Sequence, residues 1–141
     1  MIDQAGRRIG VYGLAIHDRK VLLVRVAGGF PGAGLWTLPG GGMEWGESPL
    51  ECLSREFFEE TGLTAADPDP LDLRSEVLVT PDGREVHSLQ LVYRVTAHGT
   101  LRHERGGSTE EAAWHAVDSL PSSVPLVAQM FSDGLVPRAG R

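Results

Sequence analysis

The stretch Ser48–Gly62, SPLECLSREFFEETG, constrains this chain more tightly than any other. Ser48 followed by Pro49 and by Glu51 reads as a helix start. The hydroxyl caps, the proline fills the first helical position, where its missing N–H is not needed, and the glutamate completes a capping box. Gly62 supplies the stop, because glycine takes the left-handed C′ conformation without strain. On a helical wheel Leu50, Leu53 and Phe57 fall within about 60° of one another, which predicts the buried stripe. Glu56, Glu59 and Glu60 form a row about 100° wide beside it. Phe58 falls nearly opposite that row and is left to pack against another layer or the second subunit of a homodimer. Carboxylates at i, i+3 and i+4 repel one another. Something positive must offset them.

A hard divalent cation asks for such a set of oxygen ligands, and magnesium in particular takes a few carboxylates while keeping waters and bridging to substrate phosphates. The plain alternative is a solvated acidic helix face, which is what an arbitrary trio of glutamates would be. The formal charge of −6 gives no general attraction to a nucleic-acid polymer or an anionic membrane. A phosphate-bearing ligand would therefore need local positive charge. No apolar run reaches the roughly 18 residues of a membrane span, and the first eight residues lack the apolar core of a signal peptide. The single cysteine, Cys52, forms neither an internal disulfide nor a zinc cluster. Together these predict a cytoplasmic protein held by packing.

Along the chain, Arg8–His17 and Val21–Ala27 predict a hairpin, followed by a glycine-rich loop over residues 28–34. A short strand over Trp36–Leu38 is ended by Pro39-Gly40-Gly41-Gly42. After the helix, Ala65–Pro70 reads as a loop. Leu73–Thr80 and Glu85–Thr96 then read as strands joined at Asp82-Gly83. His98–Thr109 reads as a polar loop, Ala112–Val117 as a strand and Leu126–Phe131 as a final helix. Leu135-Val136-Pro137-Arg138 resembles a protease-cleavage tag remnant, so residues 135–141 are set aside as a flexible tail and 1–134 taken as one domain. The pattern predicts an α+β fold, a mixed sheet with helices on its faces.

From Gly41 to Leu63 the chain reads GGMEWGESPLECLSREFFEETGL. This resembles the signature of the Nudix hydrolase family: glycine, five residues, glutamate, seven residues, Arg-Glu, an apolar residue, any residue, Glu-Glu, any residue, glycine, an apolar residue. Gly41, Glu47, Arg55, Glu56, Phe57, Glu59, Glu60, Gly62 and Leu63 fill every specified position. The resemblance implies an α/β/α sandwich and a loop–helix–loop. In it the Gly40 carbonyl and the Glu56, Glu59 and Glu60 side chains hold Mg²⁺ or Mn²⁺ against a diphosphate. Arg55 is placed to orient a glutamate. Glu47 either supports the loop and the metal's surroundings or complements the helix dipole. For the general base two readings stand: Glu56, or a later-loop glutamate as the family often uses, here Glu110 or Glu111. His87, His98, His103 and His115 lack metal-ligand spacing and read as surface or packing residues.

Arg25, after an apolar strand, is placed either to reach a phosphate or simply to end the strand, and Gly41 to approach the substrate. Phe30, Trp36, Trp45, Tyr93 and Trp114 are available for stacking or for the core. Leu38-Pro39-Gly40-Gly41 departs from the Phe-Pro-Gly-Gly entry of coenzyme A subclasses. Val79, Thr80 and Pro81 stand where a dinucleoside-polyphosphate subclass carries tyrosine, and Pro81 lies too far along for the ADP-ribose marker. The resemblance thus implies a pyrophosphohydrolase of nucleoside di- or triphosphates, with ADP-ribose or a nucleotide sugar as the alternative. A non-catalytic nucleotide-binding regulatory module would not need the full acidic row. A diphosphate isomerase would need a pocket cysteine, and Cys52 lies in the helix.

Overall fold

The computed structural model describes residues 2–134, and the presumed tag remnant lies outside them. The elements run β1 (Arg7–Leu14), β2 (Ile16–His17), β3 (Lys20–Val26), β4 (Trp36–Thr37), β5 (Gly40–Gly42), α1 (Pro49–Thr61), β6 (Leu63–Val79), β7 (Glu85–Gly99), β8 (Thr109–Ala116) and α2 (Pro125–Ser132). One sheet has the order β5-β1-β7-β6 and is mixed: β1 and β7 are parallel, the other pairs antiparallel. In the second sheet β3 pairs with β2, β4 and β8, all antiparallel.

Three expectations about the strands and loops change. The first hairpin involves only Ile16–His17 and β3, turned by Asp18 and Arg19, both left-handed as a two-residue primed turn asks. Arg7–Leu14 instead joins the other sheet. The supposed stop at Gly40–Gly42 is itself a strand, antiparallel to β1. Ala65–Pro70 is not a loop but part of β6. That strand lies at the sheet edge, where prolines need no ladder N–H, and register shifts at Ala66/Asp69 and Pro70/Asp72 absorb them.

Alternation along the strands sends side chains to two cores. Val11, Ala15 and Leu22 pack with Cys52, Leu53 and Phe57 of α1. Tyr12, Leu14, Val21 and Leu23 pack with Leu126, Val127 and Met130 of α2. The helices therefore cover opposite faces, an α/β/α sandwich.

α1 has the expected ends. Ser48 accepts from the Glu51 N–H, the Glu51 side chain accepts from the Ser48 N–H, and Gly62 is left-handed at the C-cap. Its buried face differs from the wheel: Leu50 is 50% exposed, whereas Cys52 and Glu60 are inside. The helix is turned so that the acidic row points partly inward. Phe58 is half-exposed under the Arg102 guanidinium, 5.1 Å from its ring centre.

Candidate active site

β5 brings the Gly40–Gly42 backbone against the inward edge of α1. Gly40 has φ 152°, and a Cβ there would lie 2.1 Å from the Val11 carbonyl oxygen, so no other residue fits. Its N–H donates to Glu60 Oε1 at 2.8 Å. A Cβ on Gly41 would stand 2.6 Å from the Glu56 carboxylate. These glycines let main chain and carboxylates approach closely.

Arg55 ties the site together. It donates to both Glu47 oxygens at 2.7 and 2.9 Å, to Glu56 at 2.8 Å and to the Gly42 carbonyl at 3.2 Å, with Glu59 3.6 Å away. The hydrogen bonds from Arg55 hold the Glu47 carboxyl down at about 2. Glu56 goes the other way, because burial outweighs its contact with Arg55. Glu60 is 2% exposed, and burial pushes its carboxyl well above the usual range; the Gly40 N–H opposes this, while Glu56, Glu104 and Glu59 add repulsion.

The acid outside the helix whose field reaches Glu56 and Glu60 is Glu104, from the loop between β7 and β8. Thr109 fixes it with its N–H and hydroxyl at 3.3 and 3.0 Å. Sequence reasoning passed over Glu104; its signal was an acidic residue in the polar loop that precedes the last strand. Arg25, Glu110 and Glu111 meet one another instead: Arg25 sits 3.0 Å from Glu110 and 3.2 Å from Glu111, opposite Glu111 across β3 and β8. Glu56, Glu59 and Glu60 do not converge on one point as they stand. Arg55 draws two of them, Gly40 holds the third, and the described residues contain no ready trio of metal-ligating side chains.

A cavity of about 530 Å³ opens beside these groups, lined by Gly40–Gly42, Glu44, Glu56 and Glu60, with Phe30 among its apolar walls. Arg8 is the one cation among its described lining residues. Trp45 is 91% exposed, Trp36 packs edge-on to His115, and Trp114 packs edge-on to His17. Cys52 is buried, its thiol pointing to the Gly41 carbonyl at 3.5 Å, and burial pushes it up to about 12. It is a packing group rather than a ready proton donor.

The family model described as the NUDIX domain matches residues 6–138. The chain belongs to this family. The Gly41–Leu63 stretch of the NUDIX domain spans β5, α1 and the first residue of β6. Among its relatives, an uncharacterised Nudix hydrolase, YvcI, of Bacillus subtilis is 31% identical over 104 residues, 73% of this chain and 62% of the relative. An ADP-ribose pyrophosphatase of Methanocaldococcus jannaschii is 31% identical over 113 residues, 80% of this chain and 64% of the relative. The chain thus spans less than two thirds of these relatives. The crystal structure of a MutT NUDIX hydrolase from Burkholderia pseudomallei superposes with a TM-score of 0.77 at 26% identity, covering 92% of this chain and 98% of the other.

Proposed function

We propose that this NUDIX chain hydrolyses the pyrophosphate bond of a nucleoside diphosphate linked to another moiety, with nucleoside di- and triphosphates as the first substrates. ADP-ribose and nucleotide sugars are the second class. The observation that carries this reading is Glu60, an acid enclosed in the protein with one N–H partner and like-charged neighbours, on the wall of a cavity of nucleotide size. Neighbouring oxygen donors of one sign fit a hard cation, Mg²⁺ or Mn²⁺, which the Gly40 carbonyl, Glu56, Glu59 and Glu60 would hold, drawing together acids that Arg55 and the Gly40 N–H now hold apart. When bound, the metal neutralises phosphate charge and lowers the pKa of water.

The chain's own groups supply the rest. Arg55 fixes Glu47 and Glu56, and so holds the loop before the helix against the helix. Gly41, having no side chain, leaves room for phosphate beside Glu56. Water attacks one phosphorus as the bridging P–O bond breaks, and its proton goes to a carboxylate; Glu56 and Glu104 are the acids we assign to it. Glu110 and Glu111 are assigned to fixing Arg25 between β3 and β8.

The test is phosphate release from nucleoside triphosphates, ADP-ribose, nucleotide sugars and dinucleoside polyphosphates, with Mg²⁺, with Mn²⁺ and with chelator. Metal-dependent turnover of one class is expected. No turnover of any member, with tight binding of one, would replace the hydrolase by the regulatory module.

A further inference from the structure

The first sheet carries a polar row across three strands. Arg8 on β1 stands opposite Ser88 on β7, and Ser88 opposite Glu76 on β6. Opposed residues share a sheet face. Arg8 and Glu76 both line the cavity that reaches Glu56 and Glu60. Gln90, two residues beyond Ser88 on the same face, is buried and donates through Nε2 to Glu76 Oε1 at 2.7 Å.

This row is underused by the protein itself. Ser88 is fully buried, and its hydroxyl has no hydrogen-bond partner among the described residues. It lies behind the cavity wall rather than in it, so Ser88 spaces Arg8 and Glu76 across the sheet without offering the cavity a group of its own. Glu76 uses one carboxylate oxygen for Gln90 and leaves the other open. Arg8 donates to the Tyr12 hydroxyl at 2.9 Å, and no described carboxylate lies within ion-pair distance of it. Gly10 makes room for that pair: a Cβ there would meet the Arg8 guanidinium at 2.7 Å and the Tyr12 hydroxyl at 2.9 Å.

We propose that Arg8, Glu76 and Gln90, which line the cavity, form the subsite for the nucleoside monophosphate part of a substrate. Arg8 takes two oxygens of a phosphate in its planar fork. Glu76, with Gln90 beside it, takes an adjacent pair of hydrogen-bond donors on the same molecule. Two strand spacings, about 10 Å, separate the row's ends, the scale of a mononucleotide. The donor pair is the vicinal diol of a ribose or the amino–imino edge of a guanine. The inference rests on the hydrolase reading for where the remaining phosphates lie, but the binding it asserts does not require turnover.

Calorimetric titration of the full chain in Mg²⁺ buffer tests it, using GMP, 2′-deoxy-GMP, IMP and inorganic phosphate against wild type, Arg8→Gln and Glu76→Gln. Wild type should bind GMP at least tenfold more tightly than phosphate. Glu76→Gln should erase most of that advantage, and Arg8→Gln should weaken GMP tenfold or more. A loss with 2′-deoxy-GMP assigns the donors to the ribose, and a loss with IMP assigns them to the base. GMP binding no tighter than phosphate, an advantage that survives Glu76→Gln, or full affinity for both analogues overturns the subsite. If these affinities follow the expectation while no nucleotide is turned over, the hydrolase reading falls and the subsite stands.

Discussion

At the scale of single residues, Glu60 separates function from stability. Glu60→Gln keeps an acceptor for the Gly40 N–H and removes a charge that burial, Glu56, Glu104 and Glu59 all disfavour. The variant should melt at or above the wild-type temperature in metal-free buffer. Its turnover should fall by at least the 10–100-fold that even an outer partner of a metal ligand typically contributes. Near-normal turnover would remove Glu60 from the proposed ligand set. Glu47 carries a pH signature of opposite sign. Arg55 lowers its folded pKa to about 2, so its stabilisation is complete above the ordinary carboxylate pKa and is lost as the pH falls toward about 2. The melting difference between wild type and Glu47→Gln should therefore shrink between about pH 5 and about pH 2, and a difference constant across that window would contradict the pairing. The helical acids were legible because their spacing is local. Glu104 and Arg8 were not, since their relation to Glu56 and Glu60 exists only after residues far apart in the chain meet across sheet and loop.

At the scale of elements, α1 tests whether its inward face is the one described. Leu53→Ala truncates a buried side chain and should cost about 2–5 kcal/mol. Leu50→Ala, on the same predicted stripe but half-exposed, should stay within about 0.5 kcal/mol. Denaturant unfolding of both variants checks this, and equal losses would restore the wheel's original phase. The ends of α1 were readable because Ser48, Pro49, Glu51 and Gly62 act on their immediate neighbours. Its rotation was not, because a wheel contains no β5: against that strand Cys52 faces the Gly41 carbonyl, and Leu50 is left half-exposed. β6 failed for a related reason. Pro68 and Pro70 look like breakers in any sequence window, and become tolerable only where a strand has one unpaired edge.

At the scale of the whole molecule, Mg²⁺ should stabilise the folded chain through its proposed ligands. Because a ligand bound only to the native state adds RT ln(1 + [L]/Kd), saturation at 100 times Kd contributes about 2.7 kcal/mol. A melting temperature that rises with Mg²⁺ and returns on chelation is expected in wild type, with little rise in Glu60→Gln; equal rises in both would place the cation elsewhere. The parallel pairing of β1 with β7 has a different kind of consequence. Arg7 finds His87 about eighty residues further along the chain, a closure whose entropy must be met before the contact returns anything. During synthesis the edge of β1 that β7 will take therefore stays open until β7 has emerged, and Glu104, whose charge reaches Glu56 and Glu60, follows later still. The candidate site is thus completed late: β5 and α1 are made early, but the loop that brings Glu104 to it follows β7.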